Sequence, residues 1–401
     1  MYYMNMTTLT IRVRLRPNPE QKKVLDETTL QYTESFNRVC IAGWPKKRVN
    51  GVELHHETYA SERESTDLQS QLVCSARVKA TEALASVRAL KRKGKKVSVP
   101  KSKRCAVRYD ARSSQLWFDR NLASLSTVAG RLRINFVVPE IYRTRLDWKQ
   151  GSIDLVKDGK GRFWLHVVMQ KHFEPVALTG GVVGVDLGVV RPAVTSDAQF
   201  LGDRRWREIE ERTFRLRRNL QAKGTRSARR HLRKLGRRVN RFRKDCDHVL
   251  SRRIVDSVEK GTTIALEDLT NIRDNVKSRK KQRRRLHGWS FNRLQTFLGY
   301  KAELAGVAIA YVDPRYTSQK CSKCGHTEKA NRRTQSEFGC RKCGFTLNAD
   351  LNAARNIRAN HLASPAMSGT SGPPIDRPIV TGTLQQCDSP SYKPPALAGG
   401  S

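Results

Sequence analysis

Two pairs of cysteines constrain this chain more than any other feature. Cys321-Ser322-Lys323-Cys324 is followed, after fifteen residues, by Cys340-Arg341-Lys342-Cys343, and Gly325 and Gly344 sit just past each pair. At this C-x2-C-x15-C-x2-C spacing each pair forms a tight knuckle that turns two thiolates toward one ion, and four sulfurs complete a tetrahedral zinc site. A closed site of that kind is structural, because no coordination position remains for a substrate. The competing reading is chance pairing of reduced cysteines. Nine cysteines in 401 residues are too few for a disulfide scaffold, which points to a reducing cytoplasm. Cys40, Cys74, Cys105 and Cys246 read as small buried apolar residues, and Cys387 lies in the tail.

The charge narrows the partner. The chain carries 77 Lys+Arg against 37 Asp+Glu, a net charge of +40. Such an excess self-repels unless a partner supplies negative charge, and a long polyanion fits better than a small acidic metabolite. Hydrophobic residues at 38% suffice for real cores, and the length suggests two to four domains at roughly 150 residues each. No run is long and apolar enough for a transmembrane helix, so no membrane partner is expected. The opening residues lack a secretory pattern, so a cytoplasmic, nucleoid-associated prokaryotic protein is the expectation. Residues 361–401 hold two basic and two acidic residues, with Pro, Gly and Ser at 18 of 41 positions. That composition predicts a disordered tail.

Local patterns divide the rest. Residues 8–15, TLTIRVRL, alternate apolar and polar as a half-buried strand does. Pro17-Asn18-Pro19-Glu20 signals a helix start with Asn18 as N-cap. A second helical stretch spans residues 67–90. From residue 97 to 171 the texture becomes short β segments (SVPKSK, RLRINFVV, SIDLVKD, GRFWLHVVM). Residues 1–15 and 97–178 are therefore expected to form a β-barrel-like module carrying a helical insertion at 16–96. A fresh domain opens with the apolar strand VVGVD, ending in Asp186, and TTIALE ends likewise in Glu267. Residues 204–260 read as helical with a break at Lys223-Gly224-Thr225. Residues 291–305 read as a helix, 307–312 as a strand and 348–357 as a helix.

Three acids, Asp186, Glu267 and Asp350, stand at the ends of these buried elements. Singly, each has a plain explanation: a turn acid, a surface acid, an N-cap. Together, in a chain with few acids to spare, they suggest a shared site. Three carboxylates brought into a dry core are unfavourable unless cations neutralise them. Mg²⁺ prefers such hard oxygen ligands, and two ions about 4 Å apart serve phosphodiester cleavage. In that arrangement Asp186 bridges both ions, and Glu267 and Asp350 each hold one. A GVDLG strand also occurs in sugar-kinase and actin-like ATPase folds, which the charge and the cysteine knuckles do not suit.

The motifs TSQKCSKCG, CRKCG and NADLNAARNI, with GVDLGVV and ALEDL before them, resemble in order those of the transposon-encoded TnpB family, relatives of small type V CRISPR effectors. RLRPNPEQKKVLDE and GKKVSVP resemble the opening and middle of that family, so the resemblance covers roughly residues 8–358. It implies an RNA-guided DNA endonuclease: an α/β RNase H-like (RuvC) nuclease core at 179–313 and 349–360, with a zinc ribbon insertion at 314–348. The β module would be the wedge and the helical insertion the recognition lobe. Guide RNA and double-stranded target DNA with a short adjacent motif are the implied partners. Asp186, Glu267 and Asp350 would be the catalytic magnesium ligands, and Cys321, Cys324, Cys340 and Cys343 the zinc ligands.

Residues 212–244 contain fifteen Lys/Arg and no acid, which favours phosphate contact along helices whose apolar stripe packs on the nuclease core. KSRKKQRRR at 277–285 reads as a lid for single-stranded DNA. Trp289 and Tyr316 are candidates for base stacking, with helix packing the stronger reading for Trp289. His287 and His326 read as surface residues. Two rivals stand: a non-cleaving nucleic-acid-binding protein or repressor, which needs no acid triad, and an unguided RNase H-type nuclease, which would carry no RNA.

Overall fold

Strand β1 (Met6–Leu15) turns Ile11, Val13 and Leu15 fully inward and leaves Arg12 and Arg14 half-buried on its other face, as a period of two requires. The structure, a computed structural model, describes residues 6–46, 50–174, 176–188, 190–269 and 291–363. Their contacts form one compact unit of residues 6–172 and a second that begins at Phe173.

In the first unit three helices, α1 (Pro19–Gly43), α2 (Gly51–Ser65) and α3 (Ser70–Arg92), follow β1. Then come β2 (Val107–Tyr109), β3 (Ser114–Trp117), β4 (Leu122–Thr127), β5 (Gly130–Val137), β6 (Lys149–Lys157) and β7 (Phe163–His172). The seven strands form one antiparallel sheet in the order β2-β6-β7-β1-β5-β4-β3. The first strand in the chain thus lies mid-sheet, and the helices are an insertion within a β module. Helix α1 begins with a reciprocal cap: Asn18 Oδ1 accepts from Gln21 N–H at 2.8 Å, and Gln21 Oε1 accepts from Asn18 N–H at 3.1 Å. One helix has no marker of its own in the sequence, and one local expectation fails. Helix α2 carries no apolar stripe, burying only Leu54, Thr58 and Glu62, so periodicity could not reveal it. SVPKSK forms no strand: Pro100 has no N–H for a ladder, and Val99 packs instead on the helical core.

The second unit is built on a sheet of β8 (Val182–Asp186), β9 (Ala193–Thr195), β10 (Phe200–Leu201), β11 (Thr263–Glu267) and β12 (Ala308–Val312). Its order is β10-β9-β8-β11-β12; β8, β11 and β12 are parallel, and β9 and β10 are antiparallel. Between β10 and β11 run α4 (Arg204–Lys223) and α5 (Arg226–Asp256). They separate at Gly224, whose φ of 62° ends α4, while Thr225 caps α5. Helix α6 (Phe291–Ala305) precedes β12, and α7 (Ala349–Ala363) closes the described chain.

Strand alternation sorts the faces. Val185, Ile264 and Leu266 pack with Leu250, Ile254, Leu294 and Leu298 of α5 and α6. The opposite parity, Val182 and Ala265, packs on Ile357 of α7. Gly184 shares that second face, and α7 lies so close that a Cβ at Gly184 would stand 2.2 Å from the Ala354 carbonyl and 2.6 Å from the Arg358 nitrogen. Both are backbone atoms of a helix and cannot swing aside. Gly184→Ala is therefore expected to destabilise the unit by about 1–3 kcal/mol or more. A thermal scan checks it, and an unchanged melting midpoint would show that α7 does not seat on this strand.

Candidate metal centres

The same alternation aims two acids. Asp186 and Glu267 follow the paired residues Val185 and Leu266 of adjacent parallel strands, and they share the parity of Gly184 and Ala265. Both side chains therefore lie on the α7 face. Asp350 sits in the first turn of α7. It is not the N-cap: the Asn348 side chain accepts from the N–H groups of Asp350 and Leu351 at 3.1 and 3.2 Å. The Asp350 carboxylate is thus left to other partners. The plain explanations that each acid has by itself give way to one cluster.

The electrostatics report the convergence. Burial, then the charges of Glu267 and Asp350, push Asp186 up to about 8, against the pull of Arg332. Burial also raises Glu267, opposed by a hydrogen bond from the Thr317 hydroxyl and by Arg332. Burial raises Asp350, opposed by Arg332 and Arg191. Three hard-oxygen donors that resist ionising together are a donor set that divalent cations suit. They are less closely gathered than the thiols: among the described residues, only the four-cysteine group has all its ligand atoms within 4.8 Å of one another.

Three neighbours of the acids escaped sequence reasoning. Arg332 Nη2 lies 3.3 Å from Asp350 Oδ1, Arg191 Nε lies 3.8 Å from Asp350 Oδ2, and Thr317 donates to Glu267. Arg332 falls in the spacer between the cysteine pairs, where no periodicity marks a position. Thr317, directly after Tyr316, was the one with a signal, since it opens the TSQKCSKCG motif.

The cysteines close as expected. Sγ of Cys321 lies 3.8 Å from that of Cys343, and Sγ of Cys324 lies 3.6 Å from that of Cys340. A tetrahedron with Zn–S near 2.3 Å places its sulfurs about 3.8 Å apart, so the four fit zinc. Gly325 and Gly344 turn each knuckle at φ of 76° and 71°, donating to the Cys321 and Cys340 carbonyls at 2.9 and 3.1 Å. Burial raises the Cys340 thiol, but the N–H groups of Cys343 and Lys342 and the adjoining thiols outweigh it and draw it down to about 6, a ligand's behaviour. By contrast, burial pushes Cys40 and Cys246 up to about 12 and Cys105 up to about 11, so these thiols are inert.

Buried asparagines lock this ribbon to α7. Asn352 accepts from Ser322 N–H and donates to the Lys320 carbonyl, and Asn356 donates to the carbonyls of Thr317 and Lys320. Asn331 donates to Gln319 and His326 carbonyls and accepts from Arg341 N–H. His326 is half-buried and pairs with Glu328.

The basic helices differ from expectation in one respect. Leu220 of α4 packs with Ala228 and Leu235 of α5, so the basic segment closes on itself as a hairpin. The later part of α5, from Leu250 to Val255, and Trp206 at the start of α4 join the sheet core. The period was right and the partner right only in part, because a stripe does not name what covers it: Ile254 and Val258 reach the sheet core, whereas Leu232, Leu235 and Val239 pack within the hairpin. Of the fifteen Lys/Arg at 212–244, all but Arg243 and Lys244 are exposed. Residues 277–285, His287, Trp289, Cys387 and the tail beyond Ala363 lie outside the described residues. Among the described residues no helix is long and apolar enough to cross a membrane.

Comparison with known proteins agrees with this arrangement. Residues 165–279 match the OrfB_IS605 family, "Probable transposase", and residues 291–357 match the "Cas12f1-like, TNB domain". Over 122 residues the chain is 48% identical to the CRISPR-associated endodeoxyribonuclease Cas12f1 of Sulfoacidibacillus thermotolerans, covering 30% of this chain and 28% of that one. It is 30% identical to Cas12f1 of Syntrophomonas palmitatica over 264 residues, 54% of this chain and 52% of that one. The TnpB-like protein MJ0751 of Methanocaldococcus jannaschii is 35% identical over 122 residues, 30% of this chain and 43% of its own. The aligned part thus spans 28–52% of these curated relatives. A solved structure, "Cryo-EM structure of the Cas12f1-sgRNA-target DNA complex", shares the fold at a TM-score of 0.59 and 16% identity, over 88% of this chain and 99% of that one.

Proposed function

We propose that this chain, a relative of the TnpB-like proteins and of Cas12f1 through the segments just described, is an RNA-guided, magnesium-dependent DNA endonuclease. The carrying observation is that two adjacent parallel strands and α7 deliver Asp186, Glu267 and Asp350 to one face of the sheet. We read the β10-β9-β8-β11-β12 sheet as an RNase H-like (RuvC) core and residues 314–348 as its zinc ribbon. The antiparallel module would act as the wedge and α1–α3 as the recognition insertion, holding guide RNA and reading a motif beside the target. The guide supplies sequence by pairing, while the protein reads backbone and shape.

Asp186, Glu267 and Asp350 would hold two Mg²⁺, which when bound neutralise phosphate charge and activate water for in-line attack. The chain's own groups set up that site. Thr317 orients Glu267 through its hydroxyl, Arg332 and Arg191 hold Asp350 toward the strands, and the acids bind cations once Asp186 has lost its proton. The exposed hairpin cations would track nucleic-acid backbone.

The test is purification with co-expressed RNA, sequencing of what is retained, and cutting of a matched duplex with Mg²⁺ or with chelator. Retention of one structured RNA and guide-dependent cutting are expected. Cutting that ignores the guide would favour the unguided nuclease, and binding without cutting the repressor.

The raised Asp186 pKa adds a pH signature. Between its ordinary value and about 8, the folded metal-free chain holds a proton there that the unfolded chain has lost, so this group's contribution to stability declines as pH rises through that window. Mg²⁺ binding should therefore release protons and tighten from about pH 6 to about pH 8. Calorimetric titration in two buffers of different ionisation heat measures the release; none, with pH-independent affinity, would contradict the ligand assignment.

A further inference from the structure

The acid cluster has an aromatic neighbour that the fold does not use. Tyr316 is 62% exposed, and its backbone has φ of 62°, a left-handed conformation that suits glycine far better than a bulky residue. Its backbone is needed: the Tyr316 carbonyl accepts from Gln319 and Lys320 N–H groups, both at 2.9 Å. Its side chain is not: among the described residues, no hydrogen bond, ion pair or ring contact reaches it. The next residue, Thr317, is 3% exposed. The Thr317 hydroxyl donates to Glu267, with the Pro314 carbonyl also within 3.0 Å of it, and the Thr317 carbonyl accepts from Asn356. The Tyr316 Cα therefore lies one peptide step, about 3.8 Å, from a residue clamped onto a member of the acid cluster.

A glycine at this position would make the same turn without strain. The exposed aromatic side chain sits on a strained backbone, one residue from the Thr317 that binds the acid cluster. Flat rings with a polar tip stack on bases irrespective of sequence. We propose that Tyr316 forms a nucleobase subsite: its ring stacks on a base of single-stranded DNA near the phosphate at Asp186, Glu267 and Asp350, and so holds that phosphate in register. The inference rests on the nuclease reading and extends it to how the strand is positioned.

The test uses the full chain with its guide RNA and compares Tyr316→Phe, Tyr316→Leu and Tyr316→Gly under single-turnover conditions. Tyr316→Phe should cut at the parent rate. Tyr316→Leu and Tyr316→Gly should cut about ten- to a hundredfold more slowly, while Tyr316→Gly melts at a higher temperature than the parent. Substrates with one abasic site walked along the strand supply a readout that a structural role cannot move. At one position the parent should lose the same factor, and Tyr316→Leu should lose nothing further. Parent-like cutting by Tyr316→Gly, or equal losses for parent and Tyr316→Leu at every abasic position, overturns the stacking role and leaves the nuclease reading intact. Absence of guided cutting by the parent itself overturns both.

Discussion

Replacing Asp186 with alanine is expected to abolish DNA cleavage while leaving RNA and DNA binding nearly intact. The separation follows from where the two properties reside. On the proposed mechanism cleavage would need all three carboxylates, and Asp186 is the one whose pKa feels both of the others, through Glu267 and Asp350. Its loss should slow cutting more than about a thousandfold, or roughly 4 kcal/mol in the barrier. Binding would draw on distributed positive charge, such as the exposed Lys/Arg of the α4–α5 hairpin, and one buried acid would contribute little to it. Stability gives a second, opposite sign. In chelator, Asp186→Ala relieves crowded buried carboxylates and should melt no lower than the parent, whereas stabilisation by Mg²⁺ should vanish. Single-turnover cleavage, filter binding and thermal scans measure all three. Cutting at the parent rate would remove Asp186 from the mechanism.

The acid cluster was legible because its markers are local. VVGVD and TTIALE each end an apolar strand in an acid, and strand parity alone then decides which face the acid takes. What strand patterns could not supply was the third dimension. That Asp350 would reach the same face depends on Gly184 letting α7 approach to backbone contact, and on Asn348 taking over the cap. Arg332 and Thr317 were hidden for a similar reason: they act across long loops, where spacing carries no phase. The β module with its helical insertion was readable from a change of texture, yet α2 was not, since a helix burying a leucine, a threonine and a glutamate has no apolar period to detect. The α4–α5 stripe shows the complementary limit. Its period announced a buried face, and only the fold could say that the other half of the hairpin covers its first part and the sheet its last.

Exchanging Cys340 for serine is expected to have the second large effect, and by a different route. Cys340 is 2% exposed, lies against Cys324 Sγ at 3.6 Å, and packs with Cys321, Phe338 and Ala349. Those few side chains and a short β13 (Glu337–Gly339) and β14 (Thr346–Asn348) hairpin are a meagre core for a ribbon, so a zinc ion on the four thiols would supply most of its folding energy, about 10–16 kcal/mol in comparable zinc peptides. The variant should lose bound zinc and the ribbon's resistance to protease, while residues 6–172, a separate unit, keep theirs. Cleavage should fall as well, although the Cys340 thiol bonds with Cys324 and Cys343 and, among the described residues, with no carboxylate. Thr317, which orients Glu267, is held by Asn356, and Asn352 and Asn356 both hold Lys320 just before the first knuckle. A loosened knuckle releases those anchors together. Restoring Mg²⁺ to any concentration should not rescue cutting, which separates this loss from that of a magnesium ligand. Elemental analysis, limited proteolysis and single-turnover cleavage decide it: a zinc-free Cys340→Ser chain with a protease-resistant ribbon and parent-like cutting would show that the four thiols hold no structural ion.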